Sequence, residues 1–103
     1  MLIITVDNIP GKEFEILGMV KGCTVQSKHI GKDIGASIKT IVGGEIKGYT
    51  EMIDEARKIV EERMIAEAEK LGADAVIGVR YGTSSIMQSV SEILVYGTAV
   101  KFL

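Results

Sequence analysis

The chain has 103 residues, which makes it one domain, 1–103, small enough that much of its surface stays in water after folding. It is 47% hydrophobic, only 5% aromatic with no tryptophan, and its formal net charge is −2. That balance lacks both the basic stripe and the stacking platforms of a nucleic-acid binder, so no nucleic-acid partner is expected.

The opening "LIITV" (2–6) is β-branched and apolar and predicts a short strand. Pro10-Gly11 suits the central positions of a type II turn, because proline presets one φ and glycine accepts the positive one. The stretch "EFEILGMVKGCTVQS" (13–27) predicts a long strand. At period two, Phe14, Ile16 and Val20 share one face, and Leu17, Met19, Cys23 and Val25 the other. In "HIGKDIGASIKTIV" (29–42), Ile30, Ile34, Ile38 and Ile41/Val42 fall at helical spacing and predict a shorter helix, with Gly43-Gly44 as its stop.

Residues from about 48 to 71 predict a long helix. Tyr49, Met52, Ile53, Ala56, Ile59, Val60, Met64, Ala68 and Leu71 recur in steps of three and four, and Gly72 is placed to terminate it. Two strands follow, 73–84 and 89–103, joined by a connection short enough for a hairpin. The first has Ala75, Ile77, Val79 and Tyr81 on one side and Val76, Gly78 and Arg80 on the other. The second has Ile93, Val95 and Ala99 facing one way and Leu94, Tyr96, Val100 and Phe102 the other.

The fold class is therefore α+β, a two-layer arrangement in the order β-β-α-α-β-β. Three of the strands are apolar on both faces, which a sheet wetted on one side does not need. One long helix covers one face, and the shorter helix offers only a few isoleucines for the other. Another copy of the chain is expected to cover the rest, so the functional unit is expected to be a homo-oligomer.

Chemistry is sparse. The segment "LGADAVIGVRYGTSS" (71–85) concentrates glycines and hydroxyls, but a dinucleotide fingerprint needs its glycines between a strand and a following helix. Here the order is helix, Gly72, strand, so the segment reads as a junction. Cys23 and His29 are the only soft metal ligands besides methionine, so a zinc site within one chain would need carboxylates as well, although one thiolate per copy around a symmetry axis would form a ring. No nucleophile elbow accompanies the single histidine, and Ser84 and Ser85 read as turn hydroxyls. On the long helix, Arg63 and Glu67 lie four apart in the sector of Ala56, Val60 and Met64, and Glu92 lies among Ile93, Leu94 and Val95. These three form a candidate polar cluster, either a structural ion-pair network or the lining of a ligand pocket.

One cysteine excludes an internal disulfide. No window reaches the roughly 20 apolar residues of a membrane span, and the first residues lack a charged leader. A cytoplasmic protein without a membrane partner is expected.

The blocks "IVGGE" (41–45), "ARKIVEERMIAEAEKLGADAVIGVRY" (56–81) and "YGTAV" (96–100) resemble the YbjQ family over nearly the whole chain. The resemblance implies a dodecin-like subunit, a small antiparallel sheet with a helix across it, assembled into a ring, usually a pentamer. The family carries a heavy-metal-binding label, but Cys23 and His29 lie outside the matching blocks, so the resemblance assigns no metal residues and no cofactor. The expected function is a homo-oligomeric binding or scaffold module for a small ligand or metal at subunit clefts. The second reading is an enzyme with an intersubunit active site holding Arg63, Glu67 or Glu92.

Overall fold

The computed structural model describes residues 1–27, 41–42, 45–87 and 90–103. Among them are six strands and one helix: β1 (Leu2–Ile3), β2 (Phe14–Ser27), β3 (Ile41–Val42), β4 (Glu45–Ile46), α1 (Lys47–Lys70), β5 (Ala75–Met87) and β6 (Val90–Phe102). The main sheet has the order β1-β5-β6-β2, and β3 and β4 form a separate two-residue ribbon. The α+β class holds, but two parts of the expected arrangement change. The sheet is mixed, because β1 runs parallel to β5 while β5, β6 and β2 are antiparallel to their neighbours. Ile41 and Val42 pair with Ile46 and Glu45 as strands rather than closing a shorter helix. β-branched side chains at both positions suit a ladder better than a helix end. The remainder of that expected helix, with His29, and the Gly43-Gly44 stop lie outside the described residues.

The turn at Pro10-Gly11 forms as expected: the Lys12 amide donates to the Ile9 carbonyl at 3.1 Å, and Gly11 has φ 77°. Helix α1 ends where Gly72 was expected to end it. The Gly72 amide donates to the Glu69 carbonyl and the Ala73 amide to the Ala68 carbonyl, at 3.0 and 3.1 Å, while Gly72 itself takes φ 77°. This is the Schellman arrangement, which satisfies two of the helix's orphan carbonyls and favours a residue without Cβ.

The helix packs on one face of the sheet, chiefly on β2 and β6. Its apolar stripe of Ala56, Val60, Met64 and Ala68 is fully buried against Val20, Val76, Val79, Ile93, Val95 and Ala99. The closest approach is at Gly22. A Cβ there would collide with the Val60 carbonyl oxygen and lie 2.7 Å from the Met64 amide nitrogen, so the helix rests on bare strand backbone.

Two bulges correct the expected strand faces. One lies between Ile16 and Gly18 in β2, the other between Ile77 and Arg80 in β5. Each inserts an extra residue and reverses the alternation beyond it. In β2, Leu17 and Val20 therefore face the helix, while Ile16, Met19, Cys23 and Val25 face away. In β5, Val76, Val79 and Tyr81 face the helix, and Ala75, Ile77 and Arg80 face away. β6 carries no register break relative to its own alternation, and its two faces are as expected.

Among the described residues, the face away from the helix is covered at one end only. There Ile4 and Ile9 of the amino-terminal segment, with Phe14 and Phe102, enclose Ala75, Ile77 and Val100. The segment is tied to the edge of β5 by backbone bonds from Ile4 to Val76, Val79 to Ile4 and Gly78 to Val6, at 2.9–3.0 Å. Arg80 adds a bond from Nη1 to the Thr5 carbonyl at 2.8 Å. Beyond Arg80 that cover stops.

Candidate functional site

The expected polar cluster does not converge. Arg63 is exposed beside the apolar stripe rather than within it, and its Nη1 donates to the Cys23 carbonyl at 2.6 Å, tying the helix to β2. Glu67 is exposed and forms no ion pair with Arg63; among the described residues the ion pair of the helix is Arg57–Asp54 at 3.7 Å. Glu92 is half-buried on the face of the sheet opposite the helix, where Ser84 Oγ donates to it at 3.5 Å. The sheet itself separates Glu92 from Arg63 and Glu67. A helix wheel places Arg63 near the stripe, but a long guanidinium leaves that flank easily by stretching toward an acceptor.

The side chains that the fold does bring together lie on the uncovered face. Its rungs run across three strands: Lys21, Tyr96 and Arg80 in one, Cys23, Leu94 and Gly82 in the next, and Val25, Glu92 and Ser84 beyond. Residues opposite one another in a ladder share a face and touch. Met19 is 70% exposed, Ile16 68%, Val25 56% and Tyr96 40%. The face is thus an apolar field crossed by a Lys-Tyr-Arg row. Sequence reasoning gave these strands two apolar faces but could not say which residues would share the uncovered one.

On the helix side, Tyr81 meets the helix at Glu61. Burial first, then the charge of the Glu61 carboxylate and a hydrogen bond to it, raise the Tyr81 phenol above its ordinary value, with Arg57 acting in the opposite direction.

The whole chain, residues 1–103, matches the profile of the YbjQ family, described as "Putative heavy-metal-binding". The chain belongs to the YbjQ family. Similar proteins include UPF0145 proteins of Thermotoga petrophila, 65% identical over 98% of this chain and 96% of theirs, and Fervidobacterium nodosum, 63% identical over 98% and 94%. A third, from Clostridium novyi, is 56% identical over the full length of both. The fold is also that of a crystal structure of a DUF74-family protein of unknown function from Pediococcus pentosaceus. It superposes with a TM-score of 0.71 at 19% identity, covering 100% of this chain and 98% of the other.

The donor set among the described residues of this YbjQ-family chain does not fit the metal label. Among the described residues no group of three or more His, Cys, Asp or Glu side chains comes close enough to hold an ion. Cys23 is exposed, but its rung-mates are Leu94 and Gly82, and its neighbours along β2 on the same face are Lys21 and Val25. A thiolate beside an ammonium and three apolar groups lacks the further soft or anionic donors that a heavy metal requires. No described helix is long and apolar enough to cross a membrane.

Proposed function

We propose that the chain works in the cytoplasm as a homo-oligomeric binding or scaffold module, with clefts between copies as the place for a small ligand or metal ion. The observation that carries this reading is the uncovered face. Ile16, Met19, Val25 and Tyr96 expose much of their side chains on a single sheet surface. An apolar field of this kind on a small domain marks an interaction surface. The Cα radius of gyration supports the same view: it is 16.8 Å, where a compact domain of 100 residues has about 13 Å. A metal ion would need donors from several copies, each giving Cys23.

Native mass spectrometry of untagged protein tests the proposal. An assembly of defined stoichiometry is expected, with any retained small molecule or metal visible as added mass. A monomer at micromolar concentration that binds no apolar dye would refute it.

A further inference from the structure

Three consecutive residues of β5 hold three consecutive carbonyls of the amino-terminal segment. The Gly78 amide donates to Val6 at 2.9 Å, the Val79 amide to Ile4 at 3.0 Å, and Arg80 Nη1 to Thr5 at 2.8 Å. The bulge makes this possible. Ile77 pairs with Thr98 and Arg80 with Tyr96, so Gly78 and Val79 together oppose Gly97 and neither takes a regular place in the β6 ladder. In an unbroken strand successive amides point to opposite edges, and only one of the two would face the segment. Gly78 has φ 62°, and a Cβ there would lie 3.2 Å from Asp7 Oδ1, so the seat suits a residue without a side chain.

The segment held in this way is lightly anchored. None of residues 1–9 is fully buried, and β1 pairs with β5 over two residues. Ile4 and Ile9 cap the small cluster of Ala75, Ile77 and Val100, which is separate from the core under the helix, while Ile3 packs against the larger core. The Pro10-Gly11 turn at its end, with Gly11 at φ 77°, supplies a hinge. Segments with short ladders and little buried surface open at a lower free energy than the whole domain.

We propose that residues 2–9 form a strap that opens as a unit about Pro10-Gly11, with the β5 bulge, Gly78 to Arg80, as its latch. Opening bares Ala75, Ile77 and Val100 and joins them to the apolar field beyond Arg80. The strap thereby sets how much apolar surface that face of the sheet presents. Every contact it uses lies within one chain, so the inference goes beyond the oligomer reading and does not depend on it.

Amide hydrogen exchange, resolved to single residues by mass spectrometry with electron-transfer fragmentation, reads the opening in the intact protein. The amides of Ile4, Gly78 and Val79 are expected to share one protection factor, at least about tenfold below that of the β6 amides. Arg80→Met keeps the aliphatic stem and removes the guanidinium bond. It should lower protection at the three strap amides by about five- to tenfold, the loss of one hydrogen bond, and leave β6 as in the parent. Strap amides protected as strongly as β6 in the parent protein would overturn the strap, because it would then part only when the whole domain unfolds; this measurement needs no variant. In Arg80→Met, unchanged strap amides, or an equal loss of protection across strap and β6, would overturn the latch.

Discussion

Replacing Gly22 by alanine tests the central packing claim, that the helix lies directly on the backbone of β2. Gly22 does not have a positive φ, so the substitution carries no backbone strain. Its whole effect must come from the added methyl. That methyl meets the Val60 carbonyl oxygen, lies 2.7 Å from the Met64 nitrogen and 3.0 Å from the Val60 carbonyl carbon. All three are main-chain atoms of a regular helix, so no side chain can rotate out of the way. Relief requires α1 to lift by about an ångström or more over its most buried stretch, loosening Val20, Val60 and Met64 together. Overpacking a rigid core costs about 1–3 kcal/mol, and a clash with backbone belongs at or above the top of that range. About 3 kcal/mol corresponds to a melting point lower by roughly 12 °C or more for a domain of this size. Urea denaturation of parent and variant at matched protein concentration measures it, since the proposed association would also contribute to apparent stability. Gly82→Ala is the control, because a Cβ there meets nothing within 4 Å. A Gly22→Ala variant within about 0.5 kcal/mol of the parent would refute the close packing of helix on strand.

Among the described residues Met64 is the largest fully buried side chain, so Met64→Ala should lower stability by about 2–5 kcal/mol in the same urea assay. Arg63→Met should cost about 1 kcal/mol through loss of the bond to the Cys23 carbonyl, whereas Glu67→Leu should change stability by less than about 0.5 kcal/mol; equal effects would restore the two as a coupled pair. The raised Tyr81 phenol means that the folded protein holds this proton more tightly than the unfolded chain. Its contribution is full below the ordinary tyrosine value and fades as pH rises through the folded one, so alkaline melting should fall less steeply in Tyr81→Phe. Met19→Asp, on the uncovered face, should shift the native mass spectrum toward monomer while the far-ultraviolet dichroism stays that of the parent. If metal content of untagged protein is real and uses Cys23, Cys23→Ser should abolish it in elemental analysis.

The parts of the fold that were legible in the sequence are those governed by local chemistry. The stripe Ala56, Val60, Met64 and Ala68 recurs at helical spacing and is buried as spacing requires. Gly72 and Pro10-Gly11 act through φ preferences that any neighbour would respect. β6 keeps its alternation throughout, and both faces were readable. The faces of β2 and β5 were not, because a bulge is an event between two strands, and a single strand's pattern does not announce where the extra residue will sit. Gly18 and Gly78 mark those places in retrospect, at φ 135° and 62°, but glycine also marks turns, helix ends and close approaches. The parallel docking of β1 on β5 joins positions more than 70 residues apart and leaves no local trace. The candidate cluster of Arg63, Glu67 and Glu92 failed to converge for a related reason: a helix wheel gives angles about one axis, and Glu92 turned out to be on the other side of the sheet.

The strand order has a further consequence for how the molecule comes to be made. Every ladder in the main sheet includes β5 or β6, so neither β1 nor β2 has any partner until residues 75–102 are available. The β5–β6 hairpin is the only piece of the sheet that closes a short loop, and loop entropy favours it as the seed. During synthesis the first half of the chain must therefore wait, with "LIITV" and the long β2 segment in water, and this interval is when the polypeptide is most exposed to mispairing and to capture by chaperones.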